Sequence, residues 1–307
     1  MSTNAQQLKV STEKMIDMCR VAPGRKLRLA KHDPAWAGNL EVPKAQRRRL
    51  AESLLAEGVA ELAQSQELLY ASDSWAILLI FQALDAAGKD GTIKHVMSGV
   101  NPQGCQVFSF KHPSAEELDH NFLWRCMKRL PERGRIGIFN RSYYEEVLIV
   151  RVHPELLVAQ RIPEVRPGKE LWQARYEDIN HFEQHLVRNG TVVLKFFLHL
   201  SKEQQRRRFL KRVSDPNRHW KFSASDLAER GYWDDYIEAY QDALTATSTP
   251  WAPWYVIPAD YKWVTRALVA KIICQRIKAL DLHFPEVSPE KQQQIAQARQ
   301  QLEAEQP

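Results

Sequence analysis

Between Trp75 and Met97 the chain joins a short apolar run to a helix through a loop of small residues, and this unit constrains the fold more than any other. Trp75-Ala76-Ile77-Leu78-Leu79-Ile80-Phe81 is continuously apolar, which predicts a strand buried on both faces of a parallel sheet. Ile93-Lys94-His95-Val96-Met97 resumes at helical spacing. The loop Ala83-Leu84-Asp85-Ala86-Ala87-Gly88-Lys89-Asp90-Gly91-Thr92 then aims backbone N–H groups and the positive end of a helix at one point, where an anion would sit. Lys89 adds a full positive charge there, and Lys94, Lys111, Lys128, Arg129 and Arg133 would supply a basic track for a long polyanion if they share a surface. The match to the phosphate-loop pattern G-x-x-x-x-G-K-[ST] is imperfect, because Ala83 replaces the first glycine and Asp90 the hydroxyl residue. Asp85 would repel a phosphate unless it held a metal or took a proton, so it points to chemistry beyond anion capture.

The rest of the chain supplies the partners for such a sheet. Residues 1–42 carry Pro23, Gly24 and Pro34 among basic residues and read as an extended arm with little regular structure. Leucines and alanines at helical spacing predict a long helix over 44–70. Strands are expected at 106–110, 135–139, 191–200 and 254–258, and helices at 114–130, 171–188, 201–213, 224–243 and 264–280. Ser114-Ala115-Glu116-Glu117 is a capping box for the first of these helices. Strands alternating with helices predict an α/β fold, a three-layer α/β/α sandwich on a parallel, doubly wound sheet. Residues 43–285 form its domain, and a glutamine-rich tail over 286–307 reads as a solvated helix.

Two further clusters converge on phosphate. The third strand ends in Phe139-Asn140-Arg141-Ser142-Tyr143-Tyr144-Glu145, at the sheet edge where open α/β folds bind ligands. The segment 201–232 holds Arg206, Arg207, Arg208, Lys211 and Arg212 within a few turns and suits a helical lid over phosphates. Arg208 and Arg212, four apart, share a face and form the preferred clamp. His181 and His185 flank Glu183 but lack a third ligand, so a surface pair is expected there. The late tryptophans, Trp220 among them, read as core. With 43 basic against 37 acidic residues the chain is net +6, which favours anionic partners such as nucleotides or polyphosphate. Four scattered cysteines argue for a reducing compartment. No apolar stretch of ~18 residues and no signal-peptide core is present, so a cytoplasmic protein without membrane contact is expected.

These motifs resemble polyphosphate kinase family 2, the phosphate-loop kinases that use polyphosphate. The resemblance runs from about Val21 to Pro285. It rests on Asp85 to Thr92, Asn101-Pro102-Gln103-Gly104, Phe139 to Tyr144, Trp220-Lys221-Phe222-Ser223 and Trp233-Asp234-Asp235-Tyr236. It implies Mg²⁺-assisted transfer of the terminal phosphate of polyphosphate to AMP or ADP, in a homo-oligomer, dimer or tetramer, without nucleic acid. It further implies Asp85 as the carboxylate that organises metal or activates the acceptor. Lys89 and the loop residues Ala86, Ala87, Gly88, Asp90, Gly91 and Thr92 would bind phosphate, Arg141 would clamp it, and Arg208 and Arg212 would complete the charge shell. Asn140 with Glu145 is similar to the class that accepts both nucleoside mono- and diphosphates. Two alternatives stay open, an ATP-dependent nucleoside monophosphate kinase and a non-catalytic binder of polyanions or nucleic acid.

Overall fold

The computed structural model describes residues 13–38 and 42–305. Five strands, β1 (Ala76–Gln82), β2 (Cys105–Ser109), β3 (Ile136–Asn140), β4 (Thr191–His199) and β5 (Trp254–Pro258), form one sheet in the order β2-β3-β1-β4-β5. Every pairing is parallel, with Ile80 of β1 opposite Phe139 of β3 and Lys195 of β4. All seven residues of β1 are buried, as a strand without polar alternation requires. Ile77, Leu79 and Phe81 enter one core, and Leu78 and Ile80 the other.

The longer helices in chain order are α1 (Lys44–Ser72), α2 (Lys89–Val96), α3 (Lys169–Arg188), α4 (Lys202–Ser214), α5 (Trp233–Thr247), α6 (Lys262–Lys278) and α7 (Pro289–Ala304). Side chains of α1, α2 and α6, such as Leu62, Ile93 and Leu268, fill the first core. Tyr176 and Ile179 of α3 and Tyr240 and Leu244 of α5 fill the second. The result is the three-layer α/β/α arrangement expected. Helices α1 and α6 meet closely at Gly58, where a Cβ would lie 3.1 Å from Ala270 Cβ.

Three expectations need correction. The arm is not extended throughout: residues 13–19 are helical, Arg20 forms an antiparallel bridge to Tyr255, and the Val21 N–H donates to Trp254 O at 2.9 Å. It thereby covers β5, the sheet edge whose unpaired groups would otherwise face water; residues 1–12 of the arm lie outside the described residues. The helix expected over 114–130 is two separate turns, Ala115–Leu118 and Trp124–Met127. The capping box forms, but Asn121 accepts the Leu123 N–H on its side chain and diverts the backbone between the turns. The helix expected over 224–243 breaks at Arg230–Tyr232, around Gly231, into Ala224–Glu229 and α5. Helix α7 exists as expected and buries no residue.

Candidate active site

Strand β1 delivers the chain to the phosphate loop at the carboxyl edge of the sheet. Gly88, at φ +104°, turns it into α2, and Ala86 also stands left-handed at φ +63°. Glycine adopts such angles freely and alanine at a cost of ~1–3 kcal/mol, so strain is held in the loop. Strand β3 ends beside it. Arg141, again left-handed at φ +64°, donates from Nη2 to Asp85 Oδ1 at 2.9 Å. Asn140 Nδ2 donates to Asp90 Oδ1 at 2.7 Å, which stitches β3 to the first turn of α2.

Lys89 is buried and donates one of its three N–H bonds to Ala83 O at 2.8 Å. Burial pushes its ammonium below the usual range and Arg141 pushes the same way, while Asp85, Glu145 and Asp90 oppose them. For Arg141 the balance is reversed: Glu145 foremost, then Asp85, outweighs burial and holds the guanidinium firmly charged.

The loop floors a cleft of about 750 Å³ whose lining includes all of residues 85–92, Asn140 and Arg141. Its wall is almost wholly cationic: Lys111 on one side, Arg208, Lys211 and Arg212 from α4, Arg218 and Lys221 beyond it, and Lys262 and Arg266 from α6. Against these stand the carboxylates of Asp85 and Asp90. A second cavity of about 370 Å³ opens on the other side of Asp85 and Arg141 and is lined by Glu145, Asp226, Trp233, Tyr236 and Tyr240. Asp85 and Arg141 thus stand in a wall that the two cavities share.

The structure distributes the expected residues unevenly. Arg208 lines the cleft but commits both Nη atoms to carbonyls, Ala86 O and Ala87 O at 2.9 and 2.7 Å and Ala259 O and Asp260 O at 2.6 and 3.1 Å. It braces the loop against the β5–α6 junction. Arg212 donates to Asp226 Oδ2 at 3.0 Å. Glu145 lies behind Arg141, outside the cleft. Lys94 is exposed and also outside it, because five residues beyond Lys89 a helix has turned ~140° away. Of the other basic residues, Lys128 and Arg129 lie over the Trp124 and Phe108 rings. Trp220 is 78% exposed at the cleft mouth, against the expectation of a core residue. His181 and His185 are exposed as expected, whereas Glu183 between them is fully buried.

Lys262 and Arg266 were not legible as site residues, although four-residue spacing at the start of α6 is a signal of a shared basic face. Desolvation at the cleft wall and the charges of Arg208, Arg266, Arg218 and Lys211 lower Lys262 to about 8. Among the described residues no three His, Cys, Asp or Glu side chains gather as a metal cage. Asp85 beside the phosphate loop nevertheless fits a Mg²⁺ ion, which is held by one or two carboxylates with phosphate oxygens completing the shell. Among the described residues, no helix is long and apolar enough to cross a membrane.

Comparison with known proteins agrees with this geometry. An ADP-polyphosphate phosphotransferase of Rhodopseudomonas palustris is 53% identical over 92% of this chain and 96% of its own. An AMP/ADP-polyphosphate phosphotransferase of Meiothermus ruber is 43% identical over 87% and 94%. The crystal structure of polyphosphate kinase 2 from Arthrobacter aurescens superposes with a TM-score of 0.83 at 38% identity, covering 94% of this chain and 97% of that one. The family described as polyphosphate kinase 2 matches residues 45–285. A match over that span, with relatives aligned over nearly their whole length, means that this chain belongs to the polyphosphate kinase 2 family.

Proposed function

We propose that this chain is a polyphosphate-dependent nucleotide kinase that moves the terminal phosphate of polyphosphate onto AMP or ADP, in reversible in-line transfer. The observation that carries it is the Asp85–Arg141 pair standing between a cationic cleft and an aromatic cavity. A chain of phosphates matches the first compartment in charge. A planar base matches the second, which Trp233, Tyr236 and Tyr240 line. The relatives' names support the same donor and the same acceptors.

Phosphoryl transfer asks for position and charge neutralisation more than covalent work. Loop N–H groups and Lys89 hold the transferring group, and Arg141 neutralises charge as the donor P–O bond breaks and the bond to the acceptor oxygen forms. Arg212 completes the charge shell, while Arg208 acts through the loop it braces. Asp85, with phosphate oxygens, would hold Mg²⁺, which would supply further neutralisation of charge. Glu145 keeps Arg141 charged and faces the acceptor side, where it bears on the choice between mono- and diphosphates. An oligomer, dimer or tetramer, and a cytoplasmic setting complete the reading. Purified protein with AMP or ADP should form ADP or ATP from polyphosphate with Mg²⁺ and do so poorly with ATP as donor to AMP. Efficient transfer from ATP alone would make it a nucleoside monophosphate kinase, and binding without transfer would make it a polyanion binder.

A further inference from the structure

Ser142, Tyr143 and Tyr144 follow Arg141 directly, yet their side chains leave the cleft and enter the core beneath it, each 1% exposed or less. Tyr143 and Tyr144 both donate their hydroxyls to one oxygen, Glu183 Oε1, at 2.9 and 2.8 Å. The other oxygen, Oε2, accepts from Lys195 Nζ at 2.5 Å. Lys195 also donates to Tyr144 Oη at 2.9 Å and to Thr247 O at 2.7 Å. The Glu183–Lys195 pair therefore gathers α3, the turn after β3, the middle of β4 and the end of α5, and both charged groups are 0% exposed.

Apolar side chains of similar size commonly stabilise a core as well as a buried ion pair does, so stability alone does not account for this one. What a saturated network adds is direction, since each hydroxyl has one bearing that satisfies it. Direction is what Arg141 needs. Its left-handed backbone, at φ +64°, is strained and persists only if its surroundings impose it. Upstream, the Arg141 N–H donates to Phe81 O at 3.0 Å. Downstream, Ser142 Oγ accepts from Tyr144 N and from Gln82 Nε2, both at 3.2 Å.

We propose that the buried Lys195–Glu183 pair, acting through the hydroxyls of Tyr143 and Tyr144, is the positioning element that holds Arg141 in its strained conformation with its guanidinium on Asp85. This rests on Arg141 acting at the reacting phosphate, and a double-mutant cycle separates the two ideas. The full-length enzyme is compared as wild type, Tyr143→Phe/Tyr144→Phe, Arg141→Lys and the triple variant, with kcat and KM for polyphosphate measured for each. The phenylalanine pair keeps the core volume and should lower kcat about tenfold, while KM changes less than threefold. In the Arg141→Lys background the same pair should change kcat less than twofold, because the group it aims is gone. Equal factors in both backgrounds, or no loss in the first, would overturn the positioning role. An Arg141→Lys enzyme with wild-type activity would instead overturn the role of Arg141 itself. Should turnover of the Arg141→Lys enzyme fall below detection, the decision passes to a second pair of substitutions read in kcat. Lys195→Met/Glu183→Leu gives a second route: it should stay folded by thermal unfolding and lose kcat like the phenylalanine pair, and a folded variant with wild-type kcat would refute the proposal.

Discussion

Replacing Arg208 by methionine removes the guanidinium and keeps most of the stem, and so isolates what its four carbonyl contacts contribute. A hydrogen bond from a charged donor contributes ~1.5–3 kcal/mol, so four in isolation would sum to ~6–12 kcal/mol. Two opposing effects reduce that figure. The freed carbonyls border an open cleft and regain water. The guanidinium also gives up hydration where it sits, since burial first and Arg212 second lower it to about 10. A net loss of ~2–4 kcal/mol remains. For a domain of this size each kcal/mol moves the midpoint ~2–4 °C, so Arg208→Met should unfold ~4–16 °C lower in the absence of nucleotide and polyphosphate. Lysine should rescue little, because a point donor cannot span carbonyls on two segments. The assay is ligand-free thermal unfolding by circular dichroism, paired with KM for polyphosphate. An unchanged midpoint with a tenfold higher KM would refute the brace and make Arg208 a phosphate ligand.

Asp85→Asn should lower kcat by at least ~10²-fold. With both side chains of the Asp85–Arg141 pair about a third exposed, stability should change by less than ~1 kcal/mol; a kcat within tenfold of wild type would remove Asp85 from the chemistry. The acid side of the stability profile belongs in part to His199, which burial first and His32 second lower from 6.5 to about 4. The unfolded chain accepts a proton there that the folded chain refuses. Its contribution is therefore whole above pH 6.5 and is lost as pH falls toward 4, ~3 kcal/mol in all. His199→Gln should flatten the fall of the melting temperature between pH 6.5 and 4.5, and an unaltered slope would assign that loss to other groups.

The layers of the fold were legible because the run Trp75–Phe81 is apolar throughout and the strands are separated by helical spacing, a pattern that a covered parallel sheet satisfies. The phosphate loop, Asn140 and Arg141 were legible for the same reason, since they follow strands whose ends must share an edge. What escaped depended on distant partners. Arg208 has four-residue spacing with Arg212 like a clamp, and only the fold brings it to the carbonyls of the loop. Lys94 is close to Lys89 in sequence and far from it around the helix. Lys195 carried a signal that went unread: a lysine inside Thr191–His199, among residues that must be buried, requires a buried anion. Its partner, Glu183, lies between the exposed His181 and His185 and carries no local signal of its burial. Local rules could not join them, because the bond crosses from a strand to a helix.

The lowered Lys262 gives the cationic cleft a second property. A lysine lowered to about 8 gives up its proton more readily than an ordinary one, so the cleft exchanges protons as well as attracting anions. A polyanion entering it favours the ammonium form and draws a fraction of a proton from the solution. Binding and proton uptake become one event: affinity rises as pH falls through that value, and the heat of association carries the ionisation enthalpy of whichever buffer gives up the proton.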